Sequence, residues 1–175
     1  LREKALKALD ETTFYPSKGK ERLKSMIETR PDWCVSRQRV WGVPLPIFVS
    51  KKDNKILVDD EVFENIANIY EKEGSDCWFS DDPQKFLGKK FKAKDFEKLS
   101  DIVEVWFDSG STHSFVLEKR QDLKWPASMY LEGSDQHRGW FHSSLLQSCG
   151  TRGRAPFESI LSHGFVVDGK GLKMS

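Results

Sequence analysis

Apolar residues recur every three or four positions in three stretches: residues 1–10, the segment between Pro16 and Pro31, and the segment from Asp60 to Gly74. Such spacing lines one face of a helix with apolar side chains, so each stretch is predicted to be helical. Proline cannot continue a helix and glycine readily ends one, which sets the predicted boundaries. The stripes consist of Leu1, Ala5, Leu9, Leu23, Met26, Ile27, Val62, Ile66, Ile69 and Tyr70.

The second half of the chain contains short, continuous apolar runs instead. Residues 102–107, 128–133 and 157–167 read IVEVWF, SMYLEG and FESILSHGFVV, which is typical of buried strands. Residues 137–149 have helical spacing, and Gly150 is placed to end that helix. A strand, a helix and a strand in succession predict a βαβ unit, in which the two strands are parallel.

Residues 48–100 differ from both flanks because they are rich in Lys and Asp. The runs PLPIFVS and KILVD lie on either side of Asp53 and Asn54, two residues that favour a turn. This arrangement predicts a β-hairpin. With the helix that begins at Asp60, it suggests an inserted subdomain that contains both strands and helix.

Charge is balanced, with 28 Lys and Arg against 27 Asp and Glu and a net charge of +1. This balance disfavours an acidic tail and a strongly basic, non-specific nucleic-acid binder, so any nucleic-acid contact must be local. Hydrophobic residues at 38% and six Trp favour a folded domain over a disordered segment. Because no apolar stretch reaches the roughly 18 to 20 residues that cross a bilayer, we expect a soluble, cytoplasmic protein.

The chain has three cysteines, Cys34, Cys77 and Cys149, and no CxxC pair. A disulfide framework and a zinc ribbon both need paired or closely spaced cysteines, so the sequence supports neither. We therefore expect three reduced thiols and no metal site in this chain.

The densest group of polar side chains lies in YLEGSDQHRGWFH, where a predicted strand ends and a helix is predicted to begin near Ser134 or Asp135. Ligands of parallel sheets bind beyond the carboxyl ends of the strands. Gly133 would allow close approach of a ligand, while Glu132, Asp135 and Gln136 offer groups for hydroxyls or an ammonium ion. The alternative interpretation is that Ser134 or Asp135 only caps the helix.

Three further segments carry candidate chemistry. Residues 105–114, VWFDSGSTHS, again follow a predicted strand, or form a turn with Trp106 in the core. Residues 30–46 alternate Arg with Trp, which suits RNA phosphates and bases, although solvated Arg beside core Trp is common. Residues 163–175 contain an Asp-Gly turn and Lys173, which is either a polyphosphate ligand or a residue without a role near the chain end.

Four strings occur in an order that resembles the isoleucyl-tRNA synthetases of class I: DWCVSRQRVWGVPLPIF, VWFDSGSTHS, YLEGSDQHRGWFHSSL and SHGFVVDGKGLKMS. The terminal KMS resembles the start of the KMSKS signature of that class. The resemblance covers nearly the whole chain and is weakest from about 48 to 100. The class signature HIGH is absent and KMSKS stops after its third residue, so we expect a fragment of a longer enzyme that is inactive alone.

This resemblance implies an α/β fold: the second half of a class I Rossmann-like nucleotide-binding catalytic domain, a parallel sheet with flanking helices, plus an inserted α+β subdomain. Residues 1–47 would begin the catalytic core where it returns from the editing domain. Residues 48–100 would be the inserted subdomain. Residues 101–175 would form the second half of the core and the start of the KMSKS loop.

The implied activity has two steps, in which L-isoleucine reacts with ATP to give isoleucyl-adenylate and the acyl group then moves to tRNA(Ile). ATP would enter as a substrate with Mg²⁺, the zinc site of the family would lie outside this chain, and the parent enzyme would be monomeric. Two alternatives remain open at this point. One is the core of a valyl- or leucyl-tRNA synthetase, and the other is a non-catalytic RNA-binding or interaction module derived from a synthetase.

The resemblance also implies a set of residues that bind the adenylate or ATP: Glu132, Gly133, Asp135, Gln136, His163, Gly164, Phe165 and Lys173. Lys173 is the expected catalytic residue in the ATP loop. Trp106 and Trp140 would form the walls of the amino-acid pocket.

Within this set each group has an expected ligand. Glu132 would bind the adenylate, Gly133 and Asp135 would face the ribose, and Gln136 would face the reacting end. Residues 163–165 would lie on the adenine side.

Overall fold

The computed structural model describes residues 1–174 and forms two compact units. Unit 1 comprises Leu1–Trp33 and Val105–Ser175, and unit 2 comprises Cys34–Glu104. Unit 2 is wider than the subdomain expected at 48–100, because strands on both sides of that segment pair with each other.

The residues that the structure describes form helices and strands in a mixed order. The α-helices are α1 (Arg2–Asp10), α2 (Lys18–Glu28), α3 (Asp60–Glu73), α4 (Cys77–Ser80), α5 (Pro83–Leu87), α6 (Val105–Gly110) and α7 (Trp140–Thr151). The strands are β1 (Thr13–Tyr15), β2 (Ser36–Arg37), β3 (Phe48–Ser50), β4 (Phe96–Lys98), β5 (Ile102–Val103), β6 (Tyr130–Gly133) and β7 (Ser159–His163). Residues 1–174 also contain two 3₁₀ turns (Ala93–Asp95 and Ser134–His137) and one π-helical segment (His113–Leu117). None of the helices in residues 1–174 is both long and apolar enough to cross a membrane.

Unit 1 is organised around a parallel sheet with strand order β1-β7-β6. Tyr130 pairs with Ile160 and Gly133 pairs with His163, so β6, α7 and β7 form the predicted βαβ unit. The sequence analysis missed β1, whose central residue Phe14 also pairs with Ile160. Three residues between two helices are too few for an alternating pattern to be recognised.

The core of unit 1 lies between this sheet and the helices α1, α2 and α7. Helix α7 contributes Phe141, Leu145 and Cys149, which are spaced four apart and fully buried. The other buried members of this core are Ala5, Ala8, Leu9, Phe14, Leu23, Ile27, Tyr130, Leu146, Ala155, Phe157 and Ile160. Burial of the apolar stripes on α1 and α2 explains why these two predicted helical patterns were reliable.

Unit 2 contains two small antiparallel pairs, β2 with β5 and β3 with β4. The predicted hairpin is present only as a bridge between Val49 and Ile56, while the main partner of β3 is β4. Phe48 and Phe86 pack against the fully buried Trp78, and their ring centres lie 5.1 and 4.9 Å from that of Trp78. The indole N–H of Trp78 donates to the carbonyl of Leu99 at 2.7 Å, so the largest core residue has no lost hydrogen bond.

Three sequence predictions about element boundaries were wrong. The run 102–107 is a strand only as far as Val103, and α6 begins at Val105, because a short apolar run reads alike in a strand and in a helix. The helix expected near Ser134 is a 3₁₀ turn, and α7 begins at Trp140. The strand predicted at 157–167 is also shorter and ends at His163.

Candidate active site at the ends of two parallel strands

The carboxyl ends of β6 and β7 bring four of the predicted site residues together. Because Gly133 pairs with His163 in a parallel register, Glu132 and His163 lie at the same edge of the sheet, and both are exposed. A Cβ placed on Gly133 would lie 2.5 Å from Oδ1 of Asp135 and 3.8 Å from Cε1 of His163. The Asp135 carboxylate therefore lies directly against the Gly133 backbone, in space that any larger residue would occupy.

Asp135 is linked through Gln136 to the start of α7. Nε2 of Gln136 donates to Oδ2 of Asp135 at 3.1 Å, and Oε1 of Gln136 accepts from the backbone N–H of Trp140 at 2.9 Å. The residue that precedes the 3₁₀ turn is Gly133, and the residue that precedes α7 is Gly139. The side chain that satisfies the first N–H of α7 is thus that of Gln136, rather than Ser134 or Asp135 as the helix-cap alternative required.

The two predicted pocket tryptophans have different environments. Trp106 on α6 is 42% exposed, and a Cβ on Gly139 would lie 3.1 Å from its ring and 2.4 Å from Oε1 of Gln136. Trp140 stacks flat on Tyr130, with ring centres 4.1 Å apart, and donates from Nε1 to a backbone carbonyl at 2.9 Å. Trp106 therefore faces the turn that holds Gln136, whereas Trp140 is partly a core residue.

Gly139 and the carbonyl of Ser109, which accepts the Trp140 hydrogen bond, are site features that the sequence analysis missed. The signal for Gly139 was its position directly before Trp140. A residue without a side chain is needed there because two long side chains meet over its Cα.

Residues 165–174 form a tight hairpin after β7. Val167 bridges to Lys173, and Oδ1 of Asp168 accepts two backbone N–H groups of the turn at 2.8 and 2.9 Å. Gly171 has φ +79°, a conformation that favours glycine. The Lys173 ammonium lies 4.1 Å from the ring centre of Phe165, so the hairpin brings these two predicted residues into contact. Gly164 precedes this hairpin and accepts a 2.6 Å hydrogen bond from Nδ1 of His163.

Unit 1 also buries three histidines that sequence analysis did not assign: His113, His137 and His142. Burial is the main cause that lowers the pKa of each of them below the usual value. For His142 the pKa falls to about 4, with the nearby Arg30 cation as the second cause. All three imidazoles are therefore neutral at physiological pH.

The Arg and Trp residues of segment 30–46 are distributed over both units. Arg30 lies over the ring of Trp33 at 5.0 Å in unit 1. In unit 2, Nη1 of Arg37 donates to two backbone carbonyls at 2.7 and 2.8 Å, while Trp41 is 88% exposed. Arg37 therefore stabilises its own loop, and Trp41 is the aromatic side chain of this segment that is presented to solvent.

The three cysteines are free thiols, as predicted, and Cys77 and Cys149 are buried. Burial raises the pKa of Cys149 to about 11, so this thiol is not a nucleophile at neutral pH. Among residues 1–174 there is no group of three or more His, Cys, Asp or Glu side chains that could hold a metal ion.

Comparison with known proteins gives a consistent set of relatives. The chain is 84% identical to isoleucine–tRNA ligase of Pelagibacter ubique (strain HTCC1062) over 175 residues, which is 100% of this chain and 19% of that protein. It is 60% identical over 176 residues to isoleucine–tRNA ligase of Brucella abortus (strain 2308), covering 100% of this chain and 18% of the relative. The chain thus spans about a fifth of the length of the curated relatives it matches.

A solved structure supports the fold. It is the crystal structure of a ternary complex of Agrobacterium radiobacter K84 LeuRS with tRNA and LeuAMS, with a TM-score of 0.51 and 21% identity. The match covers 83% of this chain and 20% of that one. The family described as tRNA synthetases class I (I, L, M and V) matches residues 1–175. A parallel α/β sheet, strand-end acids and a full-length family match together establish that this chain belongs to the class I tRNA synthetases of the isoleucine, leucine, methionine and valine group.

Proposed function

We propose that this chain is part of the catalytic core of an isoleucyl-tRNA synthetase. The observation that carries the proposal is 84% identity to an isoleucine–tRNA ligase along the entire chain. The activity of the whole protein would be formation of isoleucyl-adenylate from isoleucine and ATP, followed by acyl transfer to tRNA(Ile). Neither step needs a covalent enzyme intermediate, so positioning and electrostatic stabilisation would supply most of the catalysis.

The strand-end acids fit recognition of the sugar. Carboxylates accept hydrogen bonds from ribose hydroxyls, and they repel phosphate oxygens, so Asp135 is expected to bind the ribose. Its contact with the Gly133 backbone and its bond to Gln136 hold it beside the strand end. Glu132, which is exposed at the same edge, would bind the adenylate through its carboxylate.

Residues after β7 fit the base and the phosphates. His163, Gly164 and Phe165 follow each other along the chain from the strand end, and we assign them to the adenine side. Lys173, which rests on the Phe165 ring, carries the positive charge that the phosphates require. Leaving an aromatic face costs an exposed ammonium only about 0.5 to 1 kcal/mol, so Lys173 could move to ATP readily.

Trp106 and Trp140 are proposed as the walls of the amino-acid pocket. An isoleucine side chain forms no hydrogen bonds, so a pocket lined by apolar side chains suits it. The half-exposed Trp106 would contact the ligand directly, while Trp140, held by Tyr130 and Ser109, would form the rigid wall.

Mg²⁺ would enter with the phosphates as the MgATP substrate, and tRNA(Ile) would be the acceptor. We expect the whole protein to be cytoplasmic and monomeric. Sedimentation of the purified full-length protein tests the second expectation.

Exchange of labelled pyrophosphate into ATP by the full-length protein tests the function directly. We expect exchange with isoleucine, weaker exchange with valine and none above the blank with leucine. Strongest exchange with valine or leucine would assign the chain to one of those enzymes. Absence of exchange with all three, together with retained RNA binding, would support the non-catalytic module.

A further inference from the structure

His137 lies directly beneath the turn that carries Asp135 and Gln136. It is the last residue of the 3₁₀ turn, and only 1% of it is exposed. A ligand above the strand ends therefore cannot touch it, so any effect of His137 on the site must act through the turn.

The imidazole ties the two ends of the turn together. Nδ1 of His137 lies 2.8 Å from the carbonyl oxygen of Ser134. A carbonyl only accepts, so Nδ1 carries the proton and donates it. Nε2 is then an acceptor, and it is buried without a hydrogen-bond partner among the described residues. Burial lowers the pKa of His137, which keeps the ring in this neutral form.

Neighbouring elements fix the ring from two sides. Phe141 on α7 packs edge-on against it, with ring centres 5.5 Å apart. On the other side, a Cβ on Gly19 would lie 3.0 Å from Nε2 of His137 and 3.3 Å from the ring of Phe14. Glycine at position 19 therefore provides the space into which the imidazole fits, between α2 and α7.

We propose that His137 is a positioning residue, which sets the height and orientation of the Asp135 carboxylate by hydrogen-bonding the Ser134 carbonyl from a slot formed at Gly19. This inference rests on the proposed function, because Asp135 must be a ribose ligand for the position of its carboxylate to matter. Loss of the bond would remove the side-chain donor from the Ser134 carbonyl and would allow the turn to adopt several conformations, which weakens ligands that need Asp135.

Three substitutions in the full-length protein separate the hydrogen bond from the packing. His137→Asn can place an amide N–H near the position of Nδ1. His137→Phe keeps an aromatic ring but offers no hydrogen-bond donor. His142→Phe is the control, because it alters another buried histidine, on α7, that has no hydrogen bond to the turn. The probes are a non-hydrolysable isoleucyl-adenylate analogue and its 2′,3′-dideoxy counterpart. We expect His137→Phe to weaken the first probe about 2- to 12-fold, the range for one lost hydrogen bond.

The dideoxy analogue and the variants His137→Asn and His142→Phe distinguish loss of the hydrogen bond from a general disturbance of the fold. Binding of the dideoxy analogue should be unchanged in His137→Phe, His137→Asn should recover at least half of the lost affinity, and His142→Phe should affect thermal stability but neither affinity. Equal weakening of both analogues would overturn the proposal, because it would show a general disturbance of the fold. So would an unchanged affinity for the hydroxyl-bearing analogue in His137→Phe.

Gly19→Ala gives an independent check through a double-mutant cycle. The added methyl should displace His137 and weaken the hydroxyl-bearing analogue, and the same change should cost less affinity when residue 137 is the shorter Asn. Strictly additive effects would contradict coupling through the slot. Absence of pyrophosphate exchange in the unmodified protein would refute the proposed function itself, whereas normal exchange with insensitive His137 variants would refute only this inference.

Discussion

Glycines around the candidate site of unit 1 and glycines at two helix ends of unit 2 have different uses. In unit 1, a Cβ on Gly110, Gly133 or Gly139 would lie within 2.4 to 2.5 Å of a neighbouring side chain. In unit 2, Gly74 and Gly88 end helices with φ +82° and +64°, and nothing lies within 4 Å of a Cβ placed on either. The first group permits close contact between groups, and the second permits a backbone conformation.

Buried polar side chains also differ between the units. Unit 1 buries four Ser or Thr residues and three His residues. One of these serines, Ser144, is hydrogen-bonded to the Tyr130 hydroxyl at 3.1 Å. Unit 2 has ion pairs at its surface, where Lys85 contacts Glu73 and Asp81 at 2.6 and 2.7 Å. Exposed pairs contribute little to stability, so the aromatic cluster around Trp78 carries that role in unit 2.

This difference between the units favours the strand ends of unit 1 as the place of the candidate site. Close backbone contacts and buried polar groups are demanding to build. Around the strand ends of unit 1, Gly133 and Gly139 provide such contacts and His137 is buried. Unit 2 has an apolar cluster around Trp78 at its centre. Perturbing the core of unit 2 should therefore change stability, while perturbing the strand ends of unit 1 should change binding.

The largest effect is expected from Trp78→Ala in unit 2. Trp78 is fully buried against Phe48 and Phe86, and truncating such a residue costs about 3 to 5 kcal/mol of unfolding free energy. Phe79→Ala is the matched control, because Phe79 is the next residue of the same helix but 46% exposed, and should cost ~1 kcal/mol or less. Hydrogen exchange of the α3 and α5 amides in the full-length protein measures the loss of unfolding free energy in each variant. Equal losses in Trp78→Ala and Phe79→Ala would show that Trp78 is not the centre of this core.

Asp135→Asn should have the largest effect on binding. Removing the charge from a desolvated hydrogen bond costs roughly 1.5 to 3 kcal/mol, which is about 10- to 150-fold in affinity. We expect that loss for the isoleucyl-adenylate analogue and almost none for its 2′,3′-dideoxy counterpart, as measured by calorimetry. Equal losses for the two analogues would make Asp135 a structural acid and not a ribose ligand.

Many elements of unit 1 could be predicted from the sequence, because the patterns that indicate them involve residues close along the chain. Helical stripes predicted α1 and α2, and alternating strand and helix patterns predicted β6, α7 and β7. Position along the chain also placed Glu132 and Asp135 at a strand end. These features depend on residues that are close in sequence, so periodicity reveals them.

The remaining features depend on contacts between distant residues. Pairing of Arg37 with Ile102 joins the two ends of unit 2, and the two-residue strand Ser36–Arg37 carries no pattern of its own. The slot for His137 needs Gly19, and the exposed ring of Trp106 depends on α6 being a helix. Contact of Lys173 with Phe165 requires the hairpin at Asp168, of which the sequence indicated only the turn.

Gly133→Ala should weaken binding at little cost in stability, unlike the matched change Gly88→Ala. Position 133 has φ −64°, which alanine tolerates, but the new methyl would displace the Asp135 carboxylate. Since the end of a side chain can rotate away, we expect about 1 to 2 kcal/mol, or 5- to 30-fold weaker adenylate-analogue binding. Gly88→Ala has open space but positive φ, so it should lower unfolding free energy by about 1 kcal/mol and leave affinity unchanged. The reverse pattern, with Gly88→Ala altering affinity, would contradict the division of roles.

An effect that depends on pH and is absent at neutral pH is expected from His142 in unit 1. It is buried on α7 with Nε2 3.4 Å from the Arg30 guanidinium, and its pKa of about 4 lies below the ordinary 6.5. The unfolded chain therefore binds more protons than the folded one between these values, so stability is complete above pH 6.5 and decreases as pH falls towards 4. His142 should contribute a slope of at most about 1.4 kcal/mol per pH unit in that window. Urea unfolding of the full-length protein at pH 7, 6, 5 and 4.5 should show a shallower decline for His142→Gln than for the unmodified protein. His113, His137 and carboxylates with lowered pKa values, such as Asp59, Asp81 and Glu118, contribute to the decline that remains. Parallel curves for the two proteins would mean that His142 takes up its proton equally readily in the folded and unfolded states, and that Arg30 and the surrounding apolar residues do not exclude its charge.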